Sequence, residues 1–242
     1  MRTVRLPCAS LPAAGGEVRL DAAAAHHLRV LRLGVGASLV LFDGAGGEAE
    51  ATLVALASEG ARCEAGPRTH VEAERPRLTL CPGLPKGTKL DAVVRAATEL
   101  GVAAVCPFVA ERSVSRPDDK RAAKRTARLT AVAREAARQS GRADVPLIAP
   151  PRPLATQLAE SREARWVAFH PRGTSHLAEA VSGTREASLV VGPEGGLSDA
   201  ELALIEAHGG VLVSLGPTVL RTETAGAVVV ALAAYALGAM QP

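Results

Sequence analysis

The chain has 242 residues and, with 28 Lys and Arg against 25 Asp and Glu, a formal net charge of +3. That length accommodates a small and a medium domain, each able to bury a core, and an apolar content of 48% excludes a disordered chain. With one Trp, one Tyr and three Phe, the composition also excludes an aromatic platform for stacking bases.

Residues 1–74 read as a small β-rich domain with strands at Glu17 to Leu20, Ser38 to Phe42 and Ala49 to Ala55. Asp43-Gly44 signals a hairpin, and Gly44-Ala45-Gly46-Gly47 reads as a turn because no helix follows it. Ala22 to Leu31 is a predicted helix, on which the adjacent His26 and His27 cannot share a face as metal ligands do. Arg29 and Arg32 are spaced to reach one phosphate or to remain solvated surface charge. Glu72 to Arg77, charged and containing Pro76, is the expected linker to a second domain, 75–242.

The second domain opens with a strand, Leu78 to Cys81, and then a helix that Thr88 caps with Asp91 at the reciprocal position. Its apolar stripe is Leu90, Val93, Val94, Ala97 and Leu100, Gly101 ends it, and Arg95 and Glu99 fall on the exposed side. Val102 to Val109 reads as one strand leading into Glu111-Arg112. From Arg112 to Arg142 ten residues are Lys or Arg and three are Asp or Glu, so this segment carries the positive charge of the whole molecule. Such asymmetry points to a polyanion, with Arg112, Lys124, Arg125, Arg138 and Arg142 as candidate RNA contacts beside Arg29, Arg32 and Arg95. A helix in this segment turns Leu129, Val132, Ala133 and Ala136 inward, and Val145 to Ile148 returns as a strand.

Trp166 to Phe169 is a strand closing in His170-Pro171, and Ala187 to Val191 is another that ends in Gly192-Pro193-Glu194-Gly195-Gly196. Glycines there remove the side chains that would keep a ligand from the backbone. Ser198 and Glu201 form a capping box, Leu197 staples onto Leu202, and Gly209-Gly210 stop the helix. Val211 to Leu215 precedes a second loop through Gly216, Leu220, Arg221, Thr222 and Glu223, which enters an apolar helix, Ala225 to Leu237. Strands alternating with helices give an α/β class with a mainly parallel sheet covered on both faces. Neither glycine loop carries a P-loop or Rossmann fingerprint.

Gly192 to Gly196, Leu215-Gly216 and Leu220 to Ala225 together resemble the RsmE family of 16S ribosomal RNA uridine N3-methyltransferases, of the SPOUT superfamily. Lys86 to Glu99, Glu111-Arg112 and Gln139 to Arg142 extend the likeness over nearly the whole chain, although Thr218 stands where family members often have arginine. The resemblance implies a PUA-like barrel holding RNA, a C-terminal SPOUT-type parallel sheet with a trefoil knot, and a homodimer formed through the last helix. It further implies S-adenosylmethionine bound by His170, Pro171, Gly192, Pro193, Glu194, Gly195, Gly196, Leu215, Gly216, Leu220 and Thr222, with 16S ribosomal RNA or the small subunit as partner.

Methylation of uracil N3 needs the imino proton to leave and the nitrogen to stand in line with the methyl group. Arg221 can stabilise charge on the uracil oxygens, and Glu194 or Glu223 can take the proton. A transfer RNA methyltransferase of the same superfamily and a non-catalytic RNA-binding module are the rival readings. Cys8, Cys63, Cys81 and Cys106 lack a C-x-x-C pair and read as reduced thiols, so no metal is expected. No segment has the roughly 20 apolar residues of a membrane span, and the protein is expected to be soluble and cytoplasmic.

Overall fold

The computed structural model describes residues 3–71, 75–113, 118–160 and 165–240. It divides into two compact units, Met1–Ala73 with Ala137–Val145, and Glu74–Ala136 with Pro146–Pro242. The return of 137–145 to the first unit has no local sequence signal.

The first unit contains β1 (Val4–Pro7), β2 (Gly16–Leu20), α1 (Ala22–Val30), β3 (Ser38–Phe42), β4 (Gly47–Leu56), β5 (Ala61–Ala65) and β6 (Thr69–His70). The strands pair in the order β1-β3-β4-β5-β2, with β6 on β4, so among the described residues the hydrogen bonding follows an open path with β1 and β2 at its ends. Alternating burial along β4 and β5 turns Ala49, Ala51, Leu53 and Cys63 into the core that α1 joins through Ala25 and Leu28. The hairpin loop is longer than the dipeptide Asp43-Gly44: the Asp43 carboxylate accepts the N–H groups of Ala45 and Gly47, each at 2.8 Å, and pairs with Arg68. Helix α1 stops at Val30, and Arg32 lies past it in a left-handed conformation (φ 56°). The helical spacing that was to set Arg29 and Arg32 on one phosphate therefore does not apply, although both are exposed.

The second unit runs β7 (Arg77–Pro82), α2 (Lys89–Glu99), β8 (Ala104–Val105), β9 (Phe108–Val109), α3 (Asp119–Ser140), β10 (Leu147–Ile148), β11 (Arg152–Pro153) and α4 (Leu154–Glu160). It continues through β12 (Arg165–Phe169), α5 (Leu177–Ala180), β13 (Glu186–Val191), α6 (Asp199–Ala207), β14 (Val211–Val213) and α7 (Thr222–Ala236). Its main sheet is parallel throughout, in the order β10-β8-β7-β13-β12-β14. Strands β12 and β13 are buried along almost their whole length, as the unbroken apolar runs of a doubly covered parallel sheet require.

Three local expectations are corrected. The segment Val102 to Val109 is two strands, because Pro107 has no N–H for a ladder; β8 stays in the main sheet while β9 pairs with β11. Thr88 makes no side-chain cap, since its backbone (φ −103°, ψ 8°) lacks the extended conformation a capping hydroxyl needs, and Asp91 instead accepts from Arg128 Nη1 of α3 at 2.6 Å. Strand β14 ends at Val213, and α7 begins at Thr222, three residues earlier than its apolar run suggested.

Candidate active site

The C-terminal ends of β12, β13 and β14 lie side by side, because those strands are neighbours in parallel register. The loops leaving them line one cavity of about 580 Å³. This is where open α/β sheets bind ligands. His170 and Pro171 come from the first loop, Gly192, Pro193, Glu194, Gly195 and Gly196 from the second, and Leu215, Gly216, Leu220, Arg221 and Thr222 from the third. The twelve positions are drawn from three separate stretches of sequence into one wall. Thr218 also lines the cavity.

The second loop is held from both sides. Ser198 Oγ accepts the Glu201 N–H at 3.2 Å and Glu201 Oε2 accepts the Ser198 N–H at 2.8 Å, completing the expected capping box. Glu201 is buried, and its other oxygen accepts the Glu111 N–H at 2.9 Å, which ties the turn before Ser113 to the start of α6. From that turn Arg112 donates Nη1 to the carbonyls of Gly195 (3.2 Å) and Leu197 (3.4 Å). The glycines serve this closure as much as ligand access: a Cβ on Gly192 would lie 3.0 Å from the Leu197 nitrogen, and one on Gly195 would lie 3.0 Å from Arg112 Cβ. At Gly196 and Gly216 an added Cβ would meet no protein atom within 4 Å, so there the backbone is open to a ligand.

One side of the cavity is ionic. Lys89, from the first turn of α2, donates Nζ to Glu194 Oε1 at 2.9 Å and stands 4.0 Å from Glu223 Oε2. The Lys86 N–H also reaches Glu194 Oε1, at 3.3 Å. Partial burial raises the Glu194 pKa, but Lys89 and the nearby backbone N–H groups outweigh it and hold the carboxyl below its ordinary range. Lys89 is correspondingly raised, chiefly by its hydrogen bond to Glu194. Glu223 is not part of the cavity wall; its Oε2 is buried without a hydrogen bond among the described residues, behind Lys89. Arg221, at the N-cap of α7, is exposed to the cavity, and among the described residues none accepts a hydrogen bond from its guanidinium. Burial, reinforced by Arg172, lowers the pKa of His170, and its Nδ1 accepts the Arg172 N–H at 3.2 Å, an arrangement that favours the neutral ring.

The candidate RNA contacts are dispersed. Arg95 and Lys124 are exposed on α2 and α3, Arg125 is half-buried, and Arg112 belongs to the cavity instead of the basic helix. In the first unit, Arg138 approaches His27 Nε2 at 2.6 Å, and the buried Arg142 gives Nη2 to Asp144 Oδ2 at 2.6 Å with a side-chain exposure of only 6%. Arg116 lies outside the described residues. Lys89 was not singled out from sequence; its signal was the repeated lysine in Lys86-Gly87-Thr88-Lys89, a string with no charge pattern of its own. Among the described residues, no group of three or more His, Cys, Asp or Glu could hold a metal ion, and no helix is long and apolar enough to cross a membrane. All four cysteines are free, and burial raises the thiol pKa of each.

A parallel sheet with three strand-end loops closing one cavity, preceded by a small β unit, agrees with the class that the family comparisons establish, an RNA methyltransferase of the SPOUT type. The RNA methyltransferase domain family matches residues 72–234, and the RNA methyltransferase PUA domain family matches residues 20–65. More narrowly, the chain belongs to the ribosomal RNA small subunit methyltransferase E family. It is 34% identical over 222 residues to the Bacillus subtilis enzyme of that name (83% of this chain, 82% of the relative) and 36% identical over 226 residues to that of Mycobacterium bovis (90% and 86%). The Neisseria gonorrhoeae enzyme bound to S-adenosyl methionine superposes with a TM-score of 0.87 at 29% identity, covering 96% of each chain. A Legionella pneumophila structure in complex with the bound cofactor SAM gives 0.90 at 29% identity, covering 98% of each.

Proposed function

We propose that this protein methylates N3 of a uridine in 16S ribosomal RNA of the small subunit, using S-adenosylmethionine, and acts as a cytoplasmic homodimer. The observation that carries the proposal is Arg221: an exposed cation that no carboxylate binds among the described residues, set at a helix start in the wall of a cavity built by three strand-end loops.

The residues present fit the cofactor. Open backbone at Gly196 and Gly216 and the apolar side chains Leu197, Leu215 and Leu220 suit an adenosine, while Arg112 offers charge to a carboxylate. When bound, the cofactor supplies an electrophilic methyl group on a sulfonium. The acceptor imide gives its proton to water; its N3 lone pair then forms the N–CH3 bond as the S–CH3 bond breaks, with that electron pair remaining on sulfur. Arg221 stabilises the negative charge that develops on the uracil oxygens. Glu194 faces the cavity and can relay the proton, whereas Glu223 backs Lys89.

The exposed Lys120, Arg121 and Lys124 near the start of α3 give the RNA backbone its counter-charge. Exposed Leu232, Tyr235 and Met240 on and just beyond α7 supply the apolar patch of a self-complementary interface. The test is nucleoside mass spectrometry after incubating small-subunit RNA from a strain lacking the protein with the purified protein and cofactor. N3-methyluridine is the expected product, and a methyl group on any ribose or other base would sink the proposal.

A further inference from the structure

We propose that Lys89 is a second catalytic cation, which together with Arg221 draws the acceptor imide towards its anion, and that Glu194 and Glu223 serve chiefly to fix this lysine. The inference rests on the uracil N3 reading above and deepens it.

Three elements converge on the Lys89 ammonium. Its own helix brings it to the cavity wall, the loop after β13 supplies Glu194 at 2.9 Å, and the first turn of α7 supplies Glu223 at 4.0 Å. Among the described residues, Arg221 acts on it as a second cation, and Arg112 adds a further positive charge to the wall. An ammonium flanked by two carboxylates, with 42% of its side chain still exposed, is positioned without being used up: three N–H donors serve one close oxygen and leave room for a ligand atom. The hydrogen bond to Glu194 raises its pKa and so favours the ammonium form.

Positive charge from Lys89 and Arg221 beside an imide favours its ionised form, against the opposing charge of Glu194 and Glu223. The reaction then needs no strong base, and a carboxylate held low by Lys89 is a poor one in any case. Proton loss goes to water before the N3 lone pair forms its bond to carbon, so the role of Lys89 is to raise the fraction of acceptor already ionised at neutral pH.

The test compares wild type, Lys89→Met and Lys89→Arg in single-turnover methylation from pH 6 upward, with calorimetric titration of S-adenosylmethionine alongside. For Lys89→Met the rate–pH profile should move to higher pH, with a loss of about tenfold or more at neutral pH that shrinks as pH rises, and cofactor affinity should hold. Lys89→Arg should restore most of the neutral-pH rate, and RNA carrying the more acidic 5-fluorouridine should rescue Lys89→Met. A loss by the same factor at every pH, no rescue by 5-fluorouridine, or a defect confined to cofactor affinity would each overturn the inference. A product other than N3-methyluridine would overturn the reading beneath it, independently of Lys89.

Discussion

Arg112 and Gly195 are 83 positions apart in sequence, yet the arginine Nη1 lies 3.2 Å from the glycine carbonyl and closes the loop that forms the cavity floor. The same guanidinium reaches the Leu197 carbonyl, so one side chain binds two carbonyls at the C-terminal end of that loop. A residue expected to contact RNA thereby acts on the loop that precedes α6.

Loosening this clamp should weaken cofactor binding without unfolding the chain. Arg112→Ala is expected to lower affinity for S-adenosylmethionine about tenfold, the order of a charged hydrogen bond in a part-exposed setting. Gly195→Val should do the same from the other side, since its new Cβ would press on Arg112 Cβ. Calorimetry on both variants checks this, and unchanged affinity in both would show that the clamp is dispensable.

Arg221→Ala should lower the single-turnover methylation rate by about 10²- to 10³-fold, as loss of a donor aimed at developing charge does, while changing ligand affinities little. Arg221→Lys should recover little, because a point charge cannot replace a planar pair of donors. A near-normal rate with weakened cofactor binding would make Arg221 a wall of the pocket.

Lys120→Glu combined with Lys124→Glu should weaken RNA binding and flatten the log–log salt dependence by about 1 to 2, with cofactor binding unaltered. Both side chains are exposed and neither is within the cavity wall. An unchanged salt slope would remove the start of α3 from the RNA interface.

Asp144→Ala should destabilise the protein by about 1 to 2 kcal/mol, the order of a charge-assisted hydrogen bond, because the Arg142 side chain, 6% exposed, loses the part-exposed carboxylate that takes its Nη2. Urea denaturation measures this. If instead stability held and RNA binding fell, Arg142 would be the RNA contact that its place in the basic segment suggests.

Tyr235→Glu should convert a dimer to a monomer in sedimentation velocity at micromolar concentration. Tyr235 is 65% exposed and Leu232 43% exposed on the same helix, an apolar surface that a second copy would cover. A wild-type monomer would contradict the assembly.

The sequence by itself determined the features that depend on near neighbours. The capping box at Ser198 and Glu201, the buried strands Trp166 to Phe169 and Ala187 to Val191, and the apolar stripe of α2 are each written within a few residues, because caps and periodicity are local. The loops at Gly192 and Gly216 were legible as turns for the same reason. Only the tertiary structure decided what those loops meet. Parallel pairing placed β12 between β13 and β14 and brought three distant loops to one cavity, and it set Lys89 between two glutamates more than a hundred positions away. Pairing across such separations leaves no mark in either partner's neighbourhood. That is why Glu194 and Glu223 read from sequence as interchangeable proton acceptors, whereas in space one faces the cavity and the other lies behind the lysine that both of them hold.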